Sequence, residues 1–200
     1  SGPLFENTKK GKDVNVLQFP VPRWHELDGG RYIGTDDLVI TRDPDEGWVN
    51  VGTYRIMVHG PDRLGLHMSP GKHGRVHRDK YHAQGKPLPI AVSFGHHPIN
   101  FVVASTDVPN RVNEYEYAGG ILGKPLQVVH GPLTGLPIPA DAEINLKDPN
   151  DSVPYLRDCL AMDSVWRYLE ASPARHRLLI ADACFGGLLV QPKSISGERP

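Results

Sequence analysis

Residues 38–58 read LVITRDPDEGWVNVGTYRIMV. Leu38–Arg42 and Trp48–Val58 are rich in Val, Ile, Thr and aromatic side chains, which suit a pleated, half-buried surface. Between them DPDEG carries the Asp, Pro and Gly of a turn. The three pieces predict a β-hairpin. Outward from it, Pro89–Phe94 (PIAVSF) and Pro125–His130 (PLQVVH) are further strand candidates. Pro98–Ala104 reads as a short helix with Pro at its first position. Glu114–Leu122 reads as another, weakened by Gly119 and Gly120. The expectation for this part of the chain is α+β, mainly β.

Composition bounds the rest. Two hundred residues make one medium domain, or one domain with a fragment of another. The 21 glycines and 19 prolines exceed the usual share of about 12% but stay below that of low-complexity chains. Lys and Arg total 22 against 23 Asp and Glu, a balance that argues against a general nucleic-acid or anionic-membrane binder. Two cysteines, Cys159 and Cys184, are too few for a disulfide framework, so a reducing, cytoplasmic setting is expected. The longest apolar run, LLIADACFGGLLV, has 13 residues and contains Asp182, whereas a bilayer takes about 20. The chain opens on Ser, so the expectation is a processed or tagged product, or a piece of something longer.

The character changes near residue 147. KDPNDSVP is a turn-rich connector. Tyr155–Ala171 has helical spacing at Cys159, Met162, Trp166 and Leu169. HRLLIAD then reads as a short buried strand. The predicted organisation is therefore a domain over residues 1–146, followed by a short α/β segment over 147–200.

Two local features point to chemistry. Eight of ten histidines precede residue 100, and the window 63–86 holds Arg63, Lys72, Arg75, Arg78, Lys80 and Lys86 against Asp79 alone. Charge leaves two readings of that window, a solvated basic loop or an anion site. In a regular strand Asn50 and Arg55 point to opposite faces, and a bulge at Gly52 would let both reach one site. Asn50, His73 and Glu114 offer an amide oxygen, an imidazole and a carboxylate. Such a set suits a hard divalent ion such as Mn²⁺ or Mg²⁺, although spacing alone does not select these three.

DGGRYIGTDDLVITRDPDEGWVNVGTYR, SPGKHGRVH, GKPLPIAVSFGHHP, NEYEYAGGILGKPLQVV and GLPIPADAEI, in this order, resemble the UbiD-type decarboxylases, which use prenylated FMN. The resemblance covers about residues 2–144. It implies that residues 1–146 are the cofactor-binding domain, a split β-barrel of the flavin-reductase type. It further implies that Asn50, His73 and Glu114 hold the metal that ties down the cofactor phosphate, with K⁺ as a further candidate ion. Thr53, Tyr54 and Lys72 would line the cofactor, and Arg55 would hold the carboxylate of an aromatic or unsaturated acid. The chain departs from the family after AEI. A Glu-Gly-Pro-rich segment there supplies two acids in the family, but this chain reads NLKDPNDSVPY. Asp158 and Asp163 fall near those positions by count without matching the motif. The family's N-terminal α/β domain and C-terminal oligomerisation domain find no counterpart in this sequence. The implied protein is a homo-oligomer in the family, here without the part that assembles it, and impaired as an isolated chain.

MDSVWRYLEASPARHRLLIADACFGG resembles a second family, the caspase-like cysteine peptidases. That resemblance implies Cys184 as nucleophile, Asp182 as a pocket residue for basic side chains and His130 as the base. The competing reading of Cys184 is a buried thiol acting as a small hydrophobe. A third class, a non-catalytic flavin-binding module, follows from the loss of the acids. PADA is compatible with both families and reads as the splice point of a fused or recombined chain.

Overall fold

The computed structural model describes residues 3–34 and 36–148. Its strands are β1 (Arg31–Gly34), β2 (Leu38–Arg42), β3 (Val49–Gly52), β4 (Ile56–Gly60), β5 (Arg63–Leu66), β6 (Ile90–Phe94), β7 (Val128–His130), β8 (Pro137–Pro139) and β9 (Ile144–Asp148). Helix α1 (His73–Ala83) lies between β5 and β6, and α2 (Pro98–Ala104) and α3 (Glu114–Leu122) between β6 and β7.

The hairpin forms as expected: β2 and β3 pair antiparallel, with Val39 opposite Gly52 and Thr41 opposite Asn50. Asp43 closes its turn by accepting the N–H groups of Asp45 at 2.9 Å and Glu46 at 3.0 Å. β6 and then β9 extend the sheet in the order β3-β2-β6-β9. β2 lies inside the sheet, and Leu38, Val39, Ile40 and Thr41 are all 0% exposed. Leu38 and Ile40 join Val49 and Val51 in a core with Tyr115 of α3 and Ile138 of β8. Val39 faces the other way, into a core with Ile56, Leu66, Met68, Val92 and Phe94. That second core joins the sheet to β1-β4-β5. Truncating Ile40 to Ala would cost about 2–5 kcal/mol, from lost transfer energy and the cavity left behind.

Three expectations need correction. The span 48–58 is not one strand, because the chain leaves the sheet after Gly52 and Ile56–Gly60 pairs in another sheet. The β2–β3 pairing runs without a register shift, so there is no bulge at Gly52. Its glycine answers a packing need instead: a Cβ there would lie 2.7 Å from the Tyr54 ring. Second, part of the basic window forms α1. This helix buries Gly74 and His77, so it carries no apolar stripe for sequence periodicity to register. Third, the strands of the described residues form three separate sheets, and no closed barrel results.

α2 and α3 have the predicted bounds. Asn113 caps α3 by accepting the Tyr115 N–H at 2.9 Å, and Gly123 ends it at φ +65°. The strand expected from Pro125 begins at Val128. Among the described residues no helix is long and apolar enough to cross a membrane. The expected elements after residue 148, with Asp158, Asp163, Asp182 and Cys184, lie outside the described residues. His130 ends β7 and is exposed.

Candidate functional site

Asn50 sits on β3 opposite Thr41 and is 3% exposed. Its Nδ2 donates a long 3.5 Å bond to Thr41 Oγ1. Among the described residues β3 is the outer strand of its sheet, and the Val51 N–H points away from β2. Glu114, the first residue of α3, takes that N–H on Oε2 at 2.8 Å. Tyr54, just past β3, accepts the Gly74 N–H on its hydroxyl at 3.2 Å and also hydrogen-bonds the Asn50 side chain. His73 precedes Gly74 and opens α1, its ring edge-on to Trp48 at 5.1 Å between centroids. Hydrogen bonds thus tie the strand carrying Asn50 to the first turns of both helices, one bearing His73 and the other Glu114.

Burial sets the electrostatics. Glu114 is 5% exposed, and desolvation raises its carboxyl to about 7 despite the N–H groups of Val51 and Glu114 itself. Among the described residues no cationic side chain pairs with it. Burial also lowers the His73 imidazole, as does Lys72, while Asp107 opposes them. The Tyr54 hydroxyl is raised, first by burial and then by the charges of Glu114 and Asp37, against the Gly74 and Asn50 hydrogen bonds. No three His, Cys, Asp or Glu side chains among the described residues form a metal-binding group.

Arg55 lies in the β3–β4 connection and is exposed. It lines a cleft of about 200 Å³ with Trp24, His25, Asp28 and Tyr32. The loop forming that wall is braced internally: Arg23 donates to the Asp28 carbonyl at 2.6 Å and Asp28 accepts the His25 N–H at 2.9 Å. Thr53 is half-buried in the same connection as Arg55. Lys72 stands before α1, its Nζ 3.2 Å from Asp107.

The basic window is largely neutralised by acids from outside it. Asp107 pairs Lys72, Asp62 pairs Arg63 and Asp43 pairs Lys80, while Asp79 takes both Arg75 and Arg78. The sequence reading counted only Asp79, because the other acids are near in space and outside the window in sequence.

Sequence reasoning missed Thr41, Asp43, Trp48 and His77, all packed behind the Asn50 side chain, and Asp37. Thr-Arg-Asp at the end of a strand and a Trp at the start of the next gave no chemical signal. Asp37 is fully buried, and neither carboxyl oxygen meets a donor in good geometry. Burial raises it to about 8, outweighing the nearby N–H groups of Asp37 and Tyr54.

Residues 1–147 match the family model described as UbiD: 3-octaprenyl-4-hydroxybenzoate carboxy-lyase Rift-related domain. A pyrrole-2-carboxylic acid decarboxylase of Pseudomonas aeruginosa is 36% identical over 146 residues, covering 73% of this chain and 29% of that protein. A phenolic acid decarboxylase of a Streptomyces species is 38% identical, covering 71% of this chain and 31% of its own length. Among solved structures, the closed form of the Sedimentibacter hydroxybenzoicus vanillic acid decarboxylase gives a TM-score of 0.69 at 38% identity, over 74% of this chain and 32% of that one. An evolved dimeric UbiD-class enzyme of Pelotomaculum thermopropionicum, in complex with prFMN, gives 0.64 at 35% identity, over 68% of this chain and 32% of its own. The chain spans about three tenths of the length of the curated relatives it matches. With a family model matched from residue 1 to 147 and relatives this similar, the chain belongs to the UbiD family.

Proposed function

We propose that residues 1–146 form the prenylated-FMN-binding domain of a decarboxylase acting on an aromatic or unsaturated carboxylic acid, with residues 147–200 as a separate segment. The observation that carries this reading is the buried Glu114 carboxylate, tied to β3 beside Asn50 and lacking a cationic partner among the described residues. An oxygen from Asn50, a nitrogen from His73 and an oxygen from Glu114 fit Mn²⁺ or Mg²⁺. A cation there would return Glu114 to its ionised form and offset the desolvation of its charge. Thr53, Tyr54 and Lys72 would hold the cofactor, and K⁺ is a further candidate at the same site. The three sheets would correspond to parts of the family's split barrel.

Bound there, prenylated FMN supplies an electron sink for the loss of CO₂. The chain's own part is to bind and orient. Arg55 presents a permanent charge with paired donors, suited to gripping a carboxylate. Trp24 and Tyr32 in the same cleft offer aromatic surface to an aromatic acid. Arg55 cannot deliver the proton that replaces CO₂. General acid help is typically worth about 10²–10⁴-fold, and no acid in this chain matches the family's pair. The isolated chain should therefore bind flavin weakly and turn over nothing.

The test reconstitutes the chain with prenylated FMN and Mn²⁺, then measures metal content, flavin absorbance and CO₂ release from a panel of aromatic and cinnamic-type acids. Flavin and metal uptake lost in Glu114→Ala supports the reading. No uptake by the wild-type chain removes it. Turnover above the free-cofactor background would show that another acid serves, with Asp158 and Asp163 the first to mutate.

A further inference from the structure

Behind Asn50 lies a buried polar chain that the proposed chemistry does not use. Thr41 Oγ1 is 2.9 Å from His77 Nδ1, and Asn50 Nδ2 reaches the same oxygen at 3.5 Å. His77 is 0% exposed and stands edge-on to Trp48 at 4.5 Å. Its other nitrogen, Nε2, has no hydrogen-bond partner but lies 3.7 Å from Asp43 Oδ2. Lys80 donates to that same Oδ2 at 2.6 Å, and the turn N–H groups of Asp45 and Glu46 hold the other oxygen, Oδ1.

Two proton arrangements fit these distances. In one, His77 carries its proton on Nδ1 and donates to Thr41, which donates to the Asn50 oxygen. In the other, His77 carries it on Nε2, Thr41 donates to Nδ1, and the Asn50 NH₂ donates to Thr41. Asp43 decides between them. A lone pair on Nε2 facing a carboxylate is repelled, whereas an N–H facing it is attracted, and the dry surroundings magnify the difference. Burial moves the Asp43 carboxyl upward, but the Lys80 bond and the N–H groups of Glu46 and Asp45 prevail and hold it at about 2, so it is ionised at neutral pH. His77 is neutral there, because burial outweighs the attraction of Asp43 and brings it to about 4.

We propose that Asp43, His77 and Thr41 form a one-way hydrogen-bond chain that helps fix the Asn50 amide, with its NH₂ toward Thr41 and the Tyr54 hydroxyl and its oxygen left for a hard cation. His77 and Thr41 are then positioning residues, orienting a ligand without touching what it binds. The cation rests on the function proposed above; the orientation of the amide does not.

The test separates the two. Nitrogen-15 NMR of the metal-free chain at neutral pH reads the His77 tautomer, and the expected form is Nε2–H; an Nδ1–H tautomer overturns the proposal. Thr41→Val should shift the Asn50 side-chain amide signals and weaken Mn²⁺ binding, read by electron paramagnetic resonance, by about 10–100-fold. Thr41→Ser, which keeps the hydroxyl, should restore both. A folded Thr41→Val with unchanged amide signals and Mn²⁺ affinity also overturns the chain. If the wild-type protein binds no Mn²⁺ yet shows the Nε2–H tautomer and the Thr41-dependent amide shift, the metal reading fails and the hydrogen-bond chain stands.

Discussion

Asp43 and Glu114 are both buried carboxylates beside the same hairpin, and they titrate at opposite extremes. Asp43 is 2% exposed and settles at about 2; Glu114 is 5% exposed and rises to about 7. Both accept backbone N–H groups, so backbone bonding is not the difference. Asp43 also has Lys80 at 2.6 Å, and Glu114 has no such partner among the described residues. The comparison teaches that a paired cation, more than burial or backbone hydrogen bonding, decides where a buried carboxylate titrates in this fold.

The largest effect that would break or sharpen this contrast is the pH dependence of Glu114. Its folded pKa lies above its ordinary value of 4.5, so the native state holds the extra proton between pH 4.5 and about 7. Without divalent metal, stability should fall as pH rises through that window, by about 3 kcal/mol in all. Denaturant unfolding at pH 4.5 and 8 checks this, and Mn²⁺ should offset the loss at pH 8. Glu114→Gln should remove the part of that fall that Glu114 contributes, leaving the part due to the buried Asp37, and abolish the Mn²⁺ effect. A flat wild-type profile would mean that Glu114 is not desolvated as described.

Asp43 should behave in the opposite sense, its contribution being present above pH 3.8 and lost as pH falls through about 2. Asp43→Asn keeps the shape and removes the charge facing Lys80, and should cost about 1.5–3 kcal/mol at pH 7. In Lys80→Met, the Asp43 carboxyl should titrate higher by NMR, toward the behaviour of Glu114. An unmoved Asp43 would remove Lys80 as the source of the contrast.

A smaller loss is expected for Gly52→Ala. The added methyl meets the Tyr54 ring at 2.7 Å, and overpacking of this kind costs about 1–3 kcal/mol. It should also disturb the contact from Tyr54 to Gly74, visible as a shift of the Gly74 amide signal. The smallest stability change belongs to Arg55→Ala, exposed and outside both carboxylate networks, at under about 0.5 kcal/mol. Flavin uptake should survive it, and any decarboxylation that the reconstituted chain acquires should vanish. Unchanged turnover would take Arg55 out of the mechanism.

The hairpin and helix α2 were legible because their signals are local: β-branched runs around a DPDEG turn, and a Pro opening the helix; α3 was read despite its two glycines, and its Asn113 cap came only from the structure. α1 was not legible, since His77 and Gly74 face its packed side where apolar residues would have marked the period. The break at Thr53–Arg55 was hidden because both flanking strands have the same composition and only tertiary pairing separates them. At the site, Asn50, His73 and Glu114 entered through family resemblance. Residue spacing could not have joined positions 50, 73 and 114, and nothing local marked Thr41 and His77 as supports. Their roles follow from the register of β2 on β3 and the packing of α1 across it.

The bond from Val51 to Glu114 has a consequence beyond any ligand. An outer strand with an unpaired N–H is a template onto which a foreign strand can add. Glu114 occupies that donor on β3 from the first residue of α3, so the helix start acts as a plug against strand addition. Replacing Glu114 with a side chain that cannot accept a hydrogen bond would unplug the edge. Such variants should self-associate more readily on concentration, a liability in handling the protein that no assay of binding or turnover would reveal.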